Sequence, residues 1–186
     1  MQKSLAKISQ NAPQEIKIGP NECRLARQGE RLVARGILAD VVVTIQVPPA
    51  GFAAMLRFTA PGEADVSLPR LQSLWDFVDD AITLLFESIR SMQIPSTDVI
   101  VSAVGGADVD DVTFGRGKKL ALAVQRTLQQ QGVVLHGKDL GGTLRRAIWL
   151  ESLSGRLIVR SSSPQTLSAV PNANGTTTPR EQAGKA

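Results

Sequence analysis

The stretch from Asp40 to Phe58 constrains this chain more than any other. It reads DVVVTIQVPPAGFAAMLRF. In an extended chain Val41, Val43, Ile45 and Val47 share one face, while Asp40, Val42, Thr44 and Gln46 share the other. Pro48-Pro49-Ala50-Gly51 breaks that strand, and Phe52 to Phe58 returns beside it. A hairpin this apolar must be covered by further layers of structure.

The rest of the chain supplies candidates for those layers. Leu71, Leu74, Trp75, Val78, Ile82, Leu85, Ile89 and Met92 recur at steps of three and four, which predicts one helix over 71–92 with a single apolar stripe. Asp76, Asp79, Asp80, Glu87 and Arg90 lie mostly off it. A second helix is predicted from Arg116 to Gln131, stopped by Gly132. Short strands are predicted at Val99–Val104, Val133–Gly137, Arg146–Glu151 and Leu157–Arg160, with Cys23 in an early strand. Repeated parallel βαβ units are not expected. Two helices among eight or nine strands give an α+β layered fold. Residues 1–14 are expected to be a flexible leader, 15–160 one domain, and the Ser-, Thr-, Pro- and Asn-rich residues 161–186 a disordered tail.

Charge excludes one function class. The net charge is +4 over 186 residues, but Lys3 and Lys7 carry +2, and Arg180, Glu181 and Lys185 together carry +1. Only +1 remains for the folded part, with no clustered basic face, and aromatic content is 4% with no tyrosine. Nucleic-acid binding is therefore not expected. The one cysteine, Cys23, cannot form an intrachain disulfide. No apolar leader or membrane-length apolar run is visible, so the expectation is a cytoplasmic protein without direct membrane insertion.

Several motifs carry a more specific signal. Residues 34–41 read ARGILADV, residues 51–54 GFAA, residues 76–85 DFVDDAITLL, residues 101–107 VSAVGGA and residues 139–146 DLGGTLRR. In this order they resemble the CheD family of chemoreceptor glutamine deamidases, whose patterns are T-x-G-L-G-S-C-V, G-x-A-H, R-Y-x-D-x-A-I-x-x-L, A-K-I-F-G-G-A and D-x-G-G-x-x-G-R. Ile18-Gly19 and the closing GRLIVR at 155–160 extend the resemblance across about 15–160, and Gly115 matches the glycine of I-G-x-R-N. It implies a β-sandwich core with two main helices packed on one side. It also implies that Gly36, Gly105, Gly106, Gly115, Gly141 and Gly142 shape turns around a pocket for a receptor segment. The implied partners are the cytoplasmic region of a chemoreceptor or a CheC-type phosphatase.

By the same resemblance Asp40 stands where the family has its nucleophilic cysteine, Ala34 where it has a threonine, and Ala54 where it has the histidine base. Deamidation needs an activated nucleophile, and a thiolate beside an imidazole suits it. A carboxylate is a poor nucleophile toward an unactivated amide. The preferred reading is a catalytically inactive relative in which Asp40 accepts backbone hydrogen bonds or lies in a solvated former pocket. An amidohydrolase using Asp40 as a base on water, or a CheD-like domain used outside chemotaxis, are the alternatives.

Other candidates are weaker. Cys23 and His136 lack any spacing that suggests a relocated dyad, and together they fall short of a metal site. Neither metal nor cofactor is expected. Cys23 is expected to be a small core residue, and His136 to sit on a strand with its ring at the surface. Gly117-Lys118 fails the phosphate-loop pattern. Asp108, Asp110 and Asp111 lack calcium-loop spacing and are expected in a solvated turn. Arg145 and Arg146 are possible contacts to an acidic partner. Trp75 and Trp149 are expected in the core.

Overall fold

The computed structural model describes residues 13–27, 29–59, 74–109, 113 and 115–163. Among them are nine strands and two α-helices. The strands are β1 (Gln14–Lys17), β2 (Glu22–Ala26), β3 (Glu30–Ile37), β4 (Val41–Val47), β5 (Phe52–Phe58), β6 (Ile100–Gly105), β7 (Leu135–Leu140), β8 (Arg145–Glu151) and β9 (Leu157–Ser162). The helices are α1 (Leu74–Ser91) and α2 (Arg116–Gln130).

The hairpin read from the sequence lies at the centre. Strand β4 pairs with β5 on one side and β6 on the other, inside a five-stranded sheet of order β2-β5-β4-β6-β7. A four-stranded sheet of order β1-β3-β8-β9 stacks against it. All seven residues of β4 are buried because both faces of the strand are covered. The odd face of β4 joins Ala54, Leu56 and Phe58 in a core with Val78, Ile82 and Phe86 of α1 and Leu120 and Val124 of α2. The even face contributes Val42 to a second core with Leu32, Ala34, Ile37, Met55, Ile148 and Leu150 between the sheets. The architecture is the expected α+β layered sandwich with both helices on one side.

Some details differ from the expectation. One βαβ unit does occur: β6 and β7 pair in parallel, with α2 between them in the chain. Strands β1 and β3 are also parallel. Phe86 is buried on α1, while Met92 is half exposed just past its end. The helical stripe therefore turns from the 85/92 positions toward 78, 82, 86 and 89. Residues 71–73 lie outside the described residues, as do the leader through residue 12 and the tail from residue 164. The regular strands begin at Gln14 and end at Ser162.

Two glycines fix where the hairpin base meets its surroundings. Gly105 has φ of +122°, and a Cβ there would lie 2.2 Å from the carbonyl oxygen of Asp40. Gly117, in the first turn of α2, brings that helix so close that a Cβ would sit 2.0 Å from the Ala107 carbonyl oxygen. Both obstacles are backbone, so no rotamer change relieves them. Gly105→Ala should lower stability by roughly 3 kcal/mol or more, read as a fall in the urea midpoint at unchanged slope.

Candidate functional site at the base of the central hairpin

Strand β3 approaches the hairpin through an irregularity. Its register with β8 slips between Ala34 and Ile37, and Gly36 takes φ of +69° there. Leu38 and Ala39 then turn the chain so that Asp40 enters the foot of β4. The main chain is tied down at this point. The Gly106 N–H donates to the Asp40 carbonyl at 2.6 Å, and the Ala107 N–H donates to the Leu38 carbonyl at 2.8 Å.

The Asp40 carboxylate is buried and engaged. Arg57, on β5, donates from Nε to Asp40 Oδ2 at 2.7 Å and from Nη2 to the same oxygen. Each side chain of the pair keeps only 13% of its exposure. Arg57 Nη1 also donates to the Arg35 carbonyl at 3.3 Å, with a longer contact to the Ile18 carbonyl at 3.5 Å. One guanidinium thus joins the foot of β4, the bulged part of β3 and the connection between β1 and β2. Asp40 accepts from a side chain here, rather than from backbone N–H groups or open solvent.

Ala34, Asp40 and Ala54, the positions that the resemblance sets against the family's catalytic residues, are not brought together. The register pairs Ile45 with Ala54, and Val42 with Arg57. Ala54 belongs to the core under the helices, and Ala34 to the core between the sheets, across the five-stranded sheet. The residue facing Asp40 is Arg57. Its signal was present in the sequence as a single cation within the otherwise apolar FAAMLRF. Counting pairs down from the Pro48–Gly51 turn puts it diagonal to Asp40 on the same face, within reach of a long side chain. A guanidinium stays protonated and has no acceptor, so Arg57 cannot act as a general base.

The glycine turns assemble next to this foot. The Gly141 N–H donates to the Gly105 carbonyl at 2.8 Å, and the Asp108 N–H to the Gly142 carbonyl at 2.8 Å. The Gly115 N–H, at the start of α2, donates to Asp108 Oδ1 at 3.1 Å, and that oxygen also accepts from Thr113. Asp108 is therefore an organiser of the loop and not part of a purely solvated turn; Asp110 and Asp111 lie outside the described residues. Together Gly106, Gly141, Gly142, Gln125, Lys118 and Lys138 line a surface depression of about 340 Å³. Asp40 contributes its backbone to the depression's foundation and its carboxylate to the other side of the sheet.

Arg146 is bound within the fold. It is 6% exposed, makes a two-pronged ion pair with Asp139 at 2.9 and 2.7 Å, and donates to the Gly141 and Leu144 carbonyls at 2.9 and 3.2 Å. Those hydrogen bonds hold the Asp139 carboxyl below the usual carboxylate range against a smaller opposing effect of burial. Arg145 alternates to the outer face of the four-stranded sheet and remains half-buried.

Three further expectations resolve locally. Trp149 is not a core residue: it lies partly exposed between the guanidinium groups of Arg35 and Arg160, 5.4 and 5.3 Å from its ring centre. The side chain of Trp75 lies outside the described residues. Cys23 is exposed because β2 ends its sheet, although burial of its sulfur pushes the thiol up from its ordinary value, with Arg24 opposing. His136 is at the surface of β7, where a register slip lets its Nδ1 accept from the Val101 N–H at 3.2 Å. Cys23 and His136 lie on opposite edge strands of the five-stranded sheet, so they form no dyad.

Comparison with known proteins agrees with these motifs. The family model described as CheD chemotactic sensory transduction matches residues 62–161. The chain belongs to the CheD family. A probable chemoreceptor glutamine deamidase CheD of Solibacter usitatus is 28% identical over 82% of this chain and 92% of its own length. The protein of the same name from Haloarcula marismortui is 26% identical over 85% of this chain and 91% of its own. A third, from Syntrophus aciditrophicus, is 28% identical over 72% and 85%. The region matched by the CheD model begins after the hairpin that carries Asp40 and Arg57. Among the described residues no helix is long and apolar enough to cross a membrane.

The register gives a direct expectation for thiol chemistry. Asp40→Cys with Arg57→His should place an imidazole against the new thiol and lower its apparent pKa by about one unit or more relative to Asp40→Cys with Arg57→Gln. Alkylation rate against pH measures both, and equal values would contradict the placement of residue 57.

Proposed function

We propose that this CheD-family protein binds the cytoplasmic region of a chemoreceptor and does not deamidate it. The observation that carries this reading is the Asp40–Arg57 ion pair. The position aligned with the family nucleophile holds a carboxylate that is buried and already bound to a fixed cation. The chain has no cysteine or histidine between Arg24 and Leu135. A hydrolytic role for Asp40 would need a carboxylate free to accept a proton from water, which the Arg57 contact opposes.

The family and its relatives' names supply the partner class. Relatives named chemoreceptor glutamine deamidase point to a receptor, and the glycine-rimmed depression is the surface this reading uses. Lys118 and Lys138 are exposed at its border, which favours a segment presenting carboxylates. A CheC-type phosphatase is the other partner class. Binding to either one would place the protein in the cytoplasm.

Capture of chemoreceptor cytoplasmic fragments, followed by intact-mass spectrometry, tests the reading. Fragments should be retained with unchanged mass, and Lys118→Glu with Lys138→Glu should weaken retention. A gain of about one dalton per modified glutamine, amide to acid, would overturn it. Retention of a CheC-type protein alone would overturn the receptor assignment.

A further inference from the structure

Strand β2 ends the five-stranded sheet. Among the described residues it pairs with β5 on one side and with no strand on the other. Open edges of this kind readily pair with another strand unless charge or proline protects them. The sequence of β2, ECRLA, has no proline, and its charges lie on one face only. Glu22 and Arg24 share that face, while Cys23 and Leu25 share the other.

The Cys23 face is apolar and continuous with α1. Cys23, Leu25, Leu56, Leu84 and Met92 line a groove of about 470 Å³ between β2 and the helix. Leu25, Leu84 and Met92 are 50%, 62% and 51% exposed, three of the seven large apolar side chains exposed among the described residues. An apolar concentration at one groove, along an unpaired strand edge, marks an interaction surface.

We propose that this edge pairs antiparallel with β2 of a second copy of the chain, about a two-fold axis through Cys23. The charge pattern selects that occupant and that register. Centred on Cys23, the pairing sets Glu22 opposite Arg24 of the second copy, twice by symmetry. Centred one residue later it would set two Arg24 guanidinium groups face to face. Centred one residue earlier it would oppose two Glu22 carboxylates. Arg24 is 56% exposed on its side chain and, among the described residues, its ion pair is with Glu22 of its own strand, so it can reach across. A two-fold axis normal to the sheet keeps both α1 helices on one side, so the two apolar grooves meet across the seam.

The test uses light scattering of the full chain under reducing conditions, with charge reversals at the two positions. The unaltered protein should be a dimer. Glu22→Arg and Arg24→Glu should each weaken the dimer about tenfold, because like charges then stand opposite at both symmetric sites. Mixing the two variants should restore a dimer containing one of each, which also shows that both are folded. Mild oxidation should trap a Cys23–Cys23 disulfide, since directly paired residues have Cα atoms about 4.5–5.5 Å apart, within disulfide reach. A monomer at all concentrations, a dimer indifferent to both reversals, or no rescue on mixing would overturn the proposal.

Discussion

Asp40 is held from two directions. Its carbonyl accepts from the Gly106 N–H, and its carboxylate accepts from Arg57, which also reaches the Arg35 carbonyl. These contacts fasten the foot of the central hairpin to the turn after β6 and to the bulged part of β3. The two sheets are joined at this corner by charge and hydrogen bonding, while elsewhere between them apolar packing dominates. Removing one member of a buried ion pair leaves the other charged and unpartnered, which costs about 3–5 kcal/mol in such cases. Removing both together leaves no unpartnered charge, so the two losses do not add and the pair acts as a unit.

On the proposed reading, this arrangement leaves the hairpin a structural part and not a catalytic one. Deamidation would need a nucleophile exposed to substrate and a neighbour able to take a proton. Asp40, which the resemblance sets at the nucleophile position, is a buried carboxylate, and its neighbour Arg57 is a cation that cannot take a proton. The glycine turns keep their close packing beside the hairpin, through the Gly105, Gly141 and Gly142 hydrogen bonds and the Arg146–Asp139 clamp. A binding surface can persist on such a scaffold without the chemistry, because its shape depends on the turns and not on the carboxylate of Asp40.

Much of the scaffold was legible in the sequence. The alternation from Val41 to Val47, the Pro48–Gly51 break and the two helical stripes led to the right elements. The paired glycines pointed to the family. The position facing Asp40 was not legible from motif alignment alone, because matching GFAA to a short pattern takes no account of strand register. Pairing measured from the turn puts Ala54 opposite Ile45 and in the helix-side core, and Arg57 beside Asp40. The surroundings of Arg146 and Trp149 were hidden from the sequence for related reasons. An arginine next to a glycine turn reads as exposed until its carboxylate partner and carbonyl acceptors are seen. A tryptophan reads as core until the strand's alternation is shown to place it outside, between two arginines.

The central claim is that Asp40 and Arg57 form one structural unit. A double-mutant cycle on unfolding free energy, with Asp40→Asn, Arg57→Met and both together, tests it most directly. The account predicts that each single change lowers stability by about 3 kcal/mol and that the double change is little worse than either one. Losses that simply add, with no coupling between the two positions, would contradict it.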